Sequence, residues 1–171
     1  MTGPFVVLVG PMGAGKTSVG QALAAALGLD FRDTDADIVA AAGKPVSDIF
    51  VDDGEDAFRA LERAAVVTAL STFDGVVALG GGSVLADETR ERLKDGHAVV
   101  FLSVELTDAV NRVGLGAGRP LLAVNPRATL KHLLEQRRPL YQQVATWTVV
   151  TDGRGPEEIA AEVVALLGKA P

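Results

Sequence analysis

Eight residues near the N-terminus have the composition and spacing of a phosphate-binding loop. The stretch GPMGAGKT, residues 10–17, fits the pattern G-x-x-x-x-G-K-[ST], with an apolar run before it and an amphipathic helical pattern after it. In such a loop the backbone N–H groups point at phosphate oxygens, Lys16 reaches the terminal phosphates and the Thr17 hydroxyl ligates Mg²⁺. A glycine-rich turn without a ligand is the alternative. The strand and helix patterns on either side favour the nucleotide site.

Three aspartates at alternate positions form a second cluster, in the stretch FRDTDAD. Many phosphate-loop proteins hold Mg²⁺ with an aspartate at the end of a neighbouring strand, but the apolar run at 76–79 is followed here by GGGS. We therefore predict that Asp33 supports a hydrated Mg²⁺ and that Asp35, one pleat along, faces the hydroxyl of an acceptor. Asp37 is assigned to the following helix. A solvated turn that caps this helix is the alternative.

Arginines and glycines farther along the chain predict a site for a small anionic acceptor. Arg59 lies in the stretch GEDAFRALE, where Glu62 could hold its guanidinium, although a surface helix with a salt bridge would look the same. Gly80–Gly82 follow a predicted strand and let a ligand approach the backbone closely. The stretch RRPLY brings Arg137 and Arg138 to a helix that a proline interrupts or bends, and arginine binds carboxylates bidentately.

One irregular stretch, residues 113–126, is glycine-rich and has no periodicity. Loops of this length inside a compact domain are usually lids or binding loops. Arg119 lies in this stretch, where it could close over the transferring phosphate. We therefore expect a mobile lid here.

Composition narrows the class of protein. The chain has 171 residues, enough for one domain with a sizeable core, and no cysteine, which excludes disulfides and thiolate metal sites. The net charge of −6 argues against nucleic acid and against an anionic membrane surface as the main partner. No apolar run approaches the ~20 residues that span a bilayer. We expect a soluble, cytoplasmic monomer.

Strand and helix patterns alternate along the chain, which predicts an α/β layered sheet with right-handed crossovers. The predicted strands are Phe5–Val9, Val76–Leu79, Ala98–Leu102 and Trp147–Val150, with a weaker one at Leu27–Phe31. The predicted helices are Lys16–Leu27, Asp35–Ala42, Glu55–Leu70, Asp87–Leu93, Leu106–Val113, Pro126–Val144 and Pro156–Leu167. A GTPase is disfavoured, because neither asparagine of the chain begins the Asn-Lys-x-Asp guanine signature.

These motifs together resemble the shikimate kinase family, a nucleoside-monophosphate-kinase-like branch of the phosphate-loop proteins. The resemblance runs nearly end to end, through LVGPMGAGKTSVG, DTDADI, DIFVDDGEDAFRALE, LGGGSV, GRPLL and RRPLY. It implies a three-layer fold with a five-stranded parallel sheet of order 2-3-1-4-5, helices on both faces and a mobile lid. It implies a single domain over residues 1–171, with a substrate-binding region at about 34–62 and the lid at about 113–125. The implied reaction is transfer of the ATP γ-phosphoryl group to the 3-hydroxyl of shikimate.

The resemblance also implies roles for individual residues. Catalytic roles fall on Asp35, Lys16 and Arg119. The ATP contacts fall on Gly13, Ala14, Gly15, Lys16, Thr17, Ser18, Arg112, Arg119 and Arg154, and the shikimate contacts on Asp35, Arg59, Gly80, Gly81, Gly82 and Arg137. Mg²⁺ falls on Thr17 and, through water, on Asp33. The family often has an aspartate where this chain has Val150, and the doubled arginine leaves open whether Arg138 shares the role of Arg137.

Two other functions are open from the residues alone. One is a related kinase for gluconate or for a nucleoside monophosphate. Only the combination of D-T-D, F-R and G-G-G distinguishes such a kinase from a member of the shikimate kinase family. The other is a nucleotide-binding regulatory protein without catalysis. The presence of Lys16, Thr17, Asp33, Asp35 and Arg119 argues against the second of these.

Overall fold

The computed structural model describes residues 3–113 and 126–168. The predicted lid and Arg119 lie outside these residues. Five strands were found: β1 Val6–Val9, β2 Phe31–Asp33, β3 Val76–Ala78, β4 Val99–Ser103 and β5 Trp147–Val150. The α-helices are α1 Lys16–Leu27, α2 Thr34–Ala42, α3 Val46–Asp53, α4 Glu55–Thr72, α5 Asp87–Lys94, α6 Leu106–Val113, α7 Pro126–Val144 and α8 Pro156–Leu167, with a 3₁₀ turn at Ser83–Leu85.

The strands form one parallel sheet of order β2-β3-β1-β4-β5, which confirms the predicted fold class. β1 occupies the middle and its four residues are fully buried, as expected for an apolar run covered on both faces. Because the strands are parallel, their carboxyl ends share one edge of the sheet. The phosphate loop, Asp33 and Gly80 all follow strands at this edge, where ligands of open α/β sheets bind.

Alternate residues of each central strand enter two different cores. Val6 and Leu8 of β1 pack on the side covered by α1 and α8, whereas Val7 and Val9 pack on the side covered by α4 and the end of α7. This division follows from the two-residue period of a strand. The helices therefore lie on both faces of the sheet, as predicted.

A small third core supports the region between β2 and β3. It is built from Ile38 of α2, Ile49 of α3 and Phe58 of α4. The rings of Phe50 and Phe58 lie 4.9 Å apart in this core. Helix α3 was not predicted: its eight residues begin after a proline and include four polar ones, too short a pattern to separate from an exposed turn.

Two predicted boundaries were wrong. The weak strand predicted at Leu27–Phe31 is instead β2 at Phe31–Asp33, because α1 continues to Leu27 and Gly28 ends it in a left-handed conformation. The helix predicted to begin at Asp35 begins one residue earlier, at Thr34, so Asp35 faces the acceptor side from the first turn of α2 and not from one pleat along a strand. Pro139 lies inside α7, which continues past it to Val144.

Candidate active site

The phosphate loop connects β1 to α1 in the arrangement that its motif predicts. Gly13 and Gly15 have φ angles of 87° and 89°, values that favour glycine, and Gly15 is the residue before the first turn of α1. Lys16 reaches back across the loop, and its ammonium donates to the carbonyls of Gly10 at 2.7 Å and Pro11 at 3.0 Å. The N-terminus of a helix, a curled backbone and one cation therefore surround the same space, which is the geometry that binds phosphate.

Asp33 connects the phosphate loop to the predicted acceptor side. One carboxylate oxygen accepts a hydrogen bond from the Thr17 hydroxyl at 3.0 Å, and the other accepts from the backbone N–H of Asp35 at 2.9 Å. The second contact caps α2, so the capping alternative weighed for this sequence is also correct. The same capping contact fixes the backbone of Asp35 at the start of the helix. Asp37 belongs to α2, as predicted, and pairs with Arg32 at 2.6 Å.

Thr17 and Asp33 fit a magnesium ion. Mg²⁺ usually keeps several waters and takes one or two protein oxygens in addition to substrate phosphates, and the two residues supply one hydroxyl and one carboxylate. Within residues 3–113 and 126–168 there is no group of three or more His, Cys, Asp or Glu side chains suited to a metal. The pair therefore suits an ion held mainly by nucleotide and water.

The three glycines after β3 lie against three side chains of the acceptor side, and Gly80 and Gly82 leave room that a larger residue would fill. A Cβ atom on Gly80 would be 2.6 Å from Asp35 Oδ1, and one on Gly82 would be 2.3 Å from Nη1 of Arg59. A Cβ atom on Gly81 would be 3.8 Å from Nη1 of Arg137 and 3.4 Å from the backbone nitrogen of Met12 in the phosphate loop. Asp35, Arg59 and Arg137 therefore converge on one turn, as predicted from motifs spread over a hundred residues.

Arg59 is held by carboxylates on its own helix. It pairs with Glu62 at 2.9 Å and with Glu55 at 3.4 Å. Glu62 is only 3% exposed, and burial raises its pKa while the Arg59 guanidinium opposes the rise. Asp35, also near, adds to the rise by like-charge repulsion. Glu62 was noticed in the sequence as a partner of Arg59, but its burial was not predictable from the helix alone.

Arg137 is buried against the same turn. Its side chain is 4% exposed, burial lowers its pKa, and the positive charge of Arg59 lowers it further. Its Nε is buried without a hydrogen-bond partner within the described residues. A buried guanidinium with an unused donor and a second arginine beside it suits an anionic ligand. Arg138 is more exposed than Arg137, in agreement with the register chosen for the motif.

Sequence reasoning missed Tyr141 of the same RRPLY stretch. Its hydroxyl donates to the Gly81 carbonyl at 2.6 Å, and its ring stacks on Phe101 with centroids 5.1 Å apart. Burial raises the pKa of Tyr141 to about 12. The available signal was its position one helical turn after Arg137.

Arg154 lies at the far end of the nucleotide side. Its guanidinium contacts Glu158 at 2.7 Å, Glu162 at 2.8 Å and the Val150 carbonyl at 2.8 Å. The contact with Val150 uses the backbone, so it does not need the aspartate that the family often has at this position. Three contacts fix a flat cation at the mouth of the site.

A cavity of about 420 Å³ lies over the phosphate loop. Its lining extends from Arg154, Pro156 and Ile159 across the phosphate loop to Asp35 and Gly81. The nucleotide side and the Asp35 carboxylate therefore border one continuous space, as group transfer between two bound molecules requires.

Comparison with known proteins decides the family. The family described as shikimate kinase matches residues 12–168. A shikimate kinase of Salinispora arenicola is 70% identical over 164 residues, which cover 96% of this chain and 98% of that protein. The solved shikimate kinase of Acinetobacter baumannii, in complex with shikimate, superposes with a TM-score of 0.91 at 36% identity, covering 99% of this chain and 94% of that one. The chain belongs to the shikimate kinase family.

The rival kinase class matches less well than the shikimate kinase family does. A solved gluconokinase of Sinorhizobium meliloti covers 96% of this chain and 91% of its own, at 25% identity and a TM-score of 0.59. The two classes share the phosphate-loop architecture. The D-T-D, F-R and G-G-G set that distinguished them in the sequence is the set that the structure brings together around Gly80–Gly82.

Two residues assigned from the shikimate kinase resemblance have no described side chain. Arg112 is in the last turn of α6, where only the backbone is described, and Arg119 lies outside the described residues. All the other assigned residues lie on the phosphate loop, at the start of α1, at the end of β2, on α2, α4 or α7, on the Gly80–Gly82 turn, or at Arg154. No helix in the described part of the chain is long and apolar enough to cross a membrane.

Proposed function

We propose that this chain transfers the γ-phosphoryl group of ATP to the 3-hydroxyl of shikimate, giving shikimate 3-phosphate and ADP, in the biosynthesis of chorismate and the aromatic amino acids. The observation that carries the proposal is the convergence of Asp35, Arg59 and Arg137 on the Gly80–Gly82 turn beside the phosphate loop. A carboxylate and two arginines match the two ends of a hydroxylated acid. The phosphate loop supplies the donor side.

Asp35 acts as the base. Its carboxylate lies against Gly80 and borders the cavity over the phosphate loop. The substrate oxygen attacks the γ-phosphorus, the bond from that phosphorus to the ADP oxygen breaks, and the hydroxyl proton passes to Asp35. A carboxylate is basic enough for this task because the proton leaves late in a loose transition state.

Charge on the transferring group is offset by fixed positive groups. Lys16 and the loop N–H groups of Gly13, Ala14 and Gly15 surround the phosphates, and Thr17 and Ser18 complete the loop. Thr17 and Asp33 would hold Mg²⁺, and the ion would supply charge neutralisation at the phosphate oxygens. Arg119, from the proposed lid at residues 113–125, completes the cage when the lid closes.

The acid end of shikimate binds Arg59 and Arg137. Both guanidiniums are already oriented before the ligand arrives, Arg59 by Glu62 and Arg137 by burial. Gly80–Gly82 let the ring approach the backbone. Pre-oriented bidentate contacts give specificity for a carboxylate over a neutral polyol.

On the nucleotide side, Arg154 and Arg112 border the adenine.

We further propose that residues 1–171 form one domain, with residues 34–62 as its substrate-binding region, and that the enzyme is a cytoplasmic monomer. Its net charge of −6 argues against nucleic acid and membrane surfaces as partners.

A coupled assay for ADP release tests the proposal. ADP should appear with shikimate and Mg²⁺, but not with gluconate or AMP as acceptor. If ADP release requires gluconate or AMP, that compound is the acceptor and shikimate is not. If none of the three compounds causes ADP release, only nucleotide binding remains as the function.

Asp35→Asn should lower kcat by about 10²-fold while ATP affinity persists, since the amide cannot accept the proton. Near-normal turnover in that variant would remove Asp35 from the role of base.

A further inference from the structure

The only tyrosine of the chain is buried between the sheet and the acceptor site. Tyr141 is 1% exposed, and its ring is fixed by stacking on Phe101 of β4. Its hydroxyl reaches out of the hydrophobic core to the backbone of the Gly80–Gly82 turn. It donates to the Gly81 carbonyl at 2.6 Å, across a sequence separation of 60 residues.

Gly81 occupies the point where the two halves of the site meet. It borders the cavity, and its missing side chain would stand 3.4 Å from the Met12 nitrogen and 3.8 Å from Arg137 Nη1. The carbonyl of Gly81 and the N–H of Gly82 share one planar trans peptide and point in opposite directions. A hydrogen bond to that carbonyl therefore also sets the direction of the Gly82 N–H.

The N–H groups of Gly81 and Gly82 donate no hydrogen bond within residues 3–113 and 126–168. Backbone donors at the end of a strand are usable by an anionic ligand only if their peptide planes are held. Two backbone hydrogen bonds flank this peptide, from the Ser83 N–H to the Gly80 carbonyl and from the Leu85 N–H to the Gly82 carbonyl. The Tyr141 hydroxyl supplies the contact to the Gly81 carbonyl itself.

The Tyr141 hydroxyl also interacts with Arg137, one helical turn earlier on α7. Tyr141 is therefore a helical neighbour of Arg137 and a donor to the backbone of the Gly80–Gly82 turn. Burial raises the pKa of Tyr141 to about 12, so the hydroxyl keeps its proton and remains a donor throughout the range in which the enzyme can be assayed.

We propose that Tyr141 is a positioning residue for the acid substrate, and that it acts by fixing the Gly81–Gly82 peptide and the Arg137 guanidinium in the orientation that receives the carboxylate. This inference rests on the proposed function, since it needs the acid to bind at Arg137 and Gly81. Tyr141 itself does not touch the reacting atoms.

Tyr141→Phe tests the proposal, because it removes one hydroxyl and keeps the ring on Phe101. We expect the KM for shikimate to rise about fivefold, as for loss of one hydrogen bond, and the KM for ATP to change less than twofold. The matched control is Val144→Ala, in the same helix and the same core but away from Gly81. It should lower the melting temperature and leave both KM values unchanged, whereas a merely structural role for Tyr141 predicts the same pattern for both variants.

Arg137→Ala distinguishes failure of this inference from failure of the proposed function. If Arg137→Ala raises the KM for shikimate and Tyr141→Phe does not, the positioning role is overturned and the site stands. If neither variant changes it, the acid binds elsewhere and both proposals fall.

A second measurement is independent of whether Tyr141→Phe folds. Because the chain has one tyrosine, 3-fluorotyrosine incorporated during expression labels this position alone. Its ¹⁹F resonance should move when shikimate is added and stay in place with ADP. If the ¹⁹F chemical shift does not change at saturating shikimate, the proposal is overturned.

Discussion

The site has a nucleotide half and an acceptor half, and the two are built from different kinds of protein groups. The nucleotide half is backbone and one contiguous motif: residues 10–17 provide the loop, the lysine and the hydroxyl. The acceptor half is side chains from three helices around a glycine turn, with Arg59, Glu62 and Arg137 buried or nearly so. Backbone N–H groups need no counter-ion, but buried charges must be paired.

This difference has an energetic consequence. In the acceptor half two arginines repel each other, which contributes to the lowered pKa of Arg137. Glu62 pairs with Arg59 at 2.9 Å, whereas Arg137 has no ion pair within residues 3–113 and 126–168. A substrate carboxylate would supply Arg137 with a charged partner. The acceptor half is therefore the part of the molecule that gains most from its ligand, whereas the phosphate loop is stabilised by the fold itself.

Lys16→Met tests the nucleotide half and should have the largest effect. Loss of the one cation of the loop removes a fixed charge from the transferring phosphates, so we expect kcat/KM for ATP to fall about 10³-fold, as for loss of a preorganised donor. Steady-state kinetics and ATP titration of the same variant measure it. Affinity for ATP and turnover should both decrease, and the melting temperature should change little because the hydrogen bonds of the lysine to Gly10 and Pro11 lie within its own loop. Unchanged ATP kinetics would contradict the phosphate-loop assignment.

Arg137→Ala tests the acceptor half and should spare the nucleotide. Truncating one partner of a buried charged pair costs roughly 2–5 kcal/mol, so the KM for shikimate should rise about 30-fold or more with the KM for ATP nearly unchanged. The neighbouring Arg138→Ala is the control and should change neither constant. If Arg138→Ala has the larger effect, the motif has been assigned one residue out of register.

The nucleotide half was the more predictable from sequence. A motif of eight residues between a strand and a helix defined the loop, and the loop lies where it was expected. The proximity of Thr17 and Asp33 was also foreseen, because strand ends meet at one edge of a parallel sheet, and their role with Mg²⁺ stays a prediction.

For the acceptor half, the sequence predicted which residues belong to the site but not which of them contact one another. From the sequence, Gly80–Gly82 were predicted to let a ligand approach the backbone. The structure shows that glycines of this turn also make room for Asp35 and Arg59. The sequence placed Asp35 both one pleat along a strand and at the start of a helix, because an N-cap aspartate and a strand-end aspartate look alike in D-T-D, and the structure has it in the first turn of α2. The Tyr141 contact joins residues 60 apart, and no local pattern carries it.

Gly80→Ala and Gly82→Ala sharpen the comparison within the acceptor half. An added methyl on Gly82 meets the Arg59 guanidinium at 2.3 Å, and one on Gly80 meets Asp35 Oδ1 at 2.6 Å. Neither glycine has a positive φ, so the backbone accepts alanine at both positions. We expect Gly82→Ala to raise the KM for shikimate about tenfold and Gly80→Ala to lower kcat about tenfold, because each displaces a different group.

Each of these two variants is the control for the other, and circular dichroism checks that both retain the fold. Equal changes in kcat and KM from the two substitutions would mean that the turn moves as a unit. The separate contacts of Asp35 and Arg59 would then not explain the need for glycine.

Glu62→Gln should have the smallest effect on catalysis and a distinct effect on stability. The amide can still accept a hydrogen bond from Arg59, so we expect the KM for shikimate to rise only about threefold. Burial raises the pKa of Glu62 above its ordinary value of 4.5. The unfolded chain therefore releases this proton at lower pH than the folded one, and wild-type stability is lost as the pH rises from 4.5 through the folded pKa.

Glutamine has no proton to lose, so the free energy of unfolding of Glu62→Gln minus that of wild type should become more positive over this range. Urea denaturation at pH 4, 5, 6 and 7 measures it, and groups common to both proteins cancel in the difference. Glu55→Gln is the matched control, because it removes the other carboxylate that contacts Arg59 at a position that is half exposed. A difference that stays constant or falls with pH would mean that the ion pair with Arg59 outweighs burial. Glu62 would then stabilise the acceptor half rather than strain it, and the contrast with the phosphate loop would disappear.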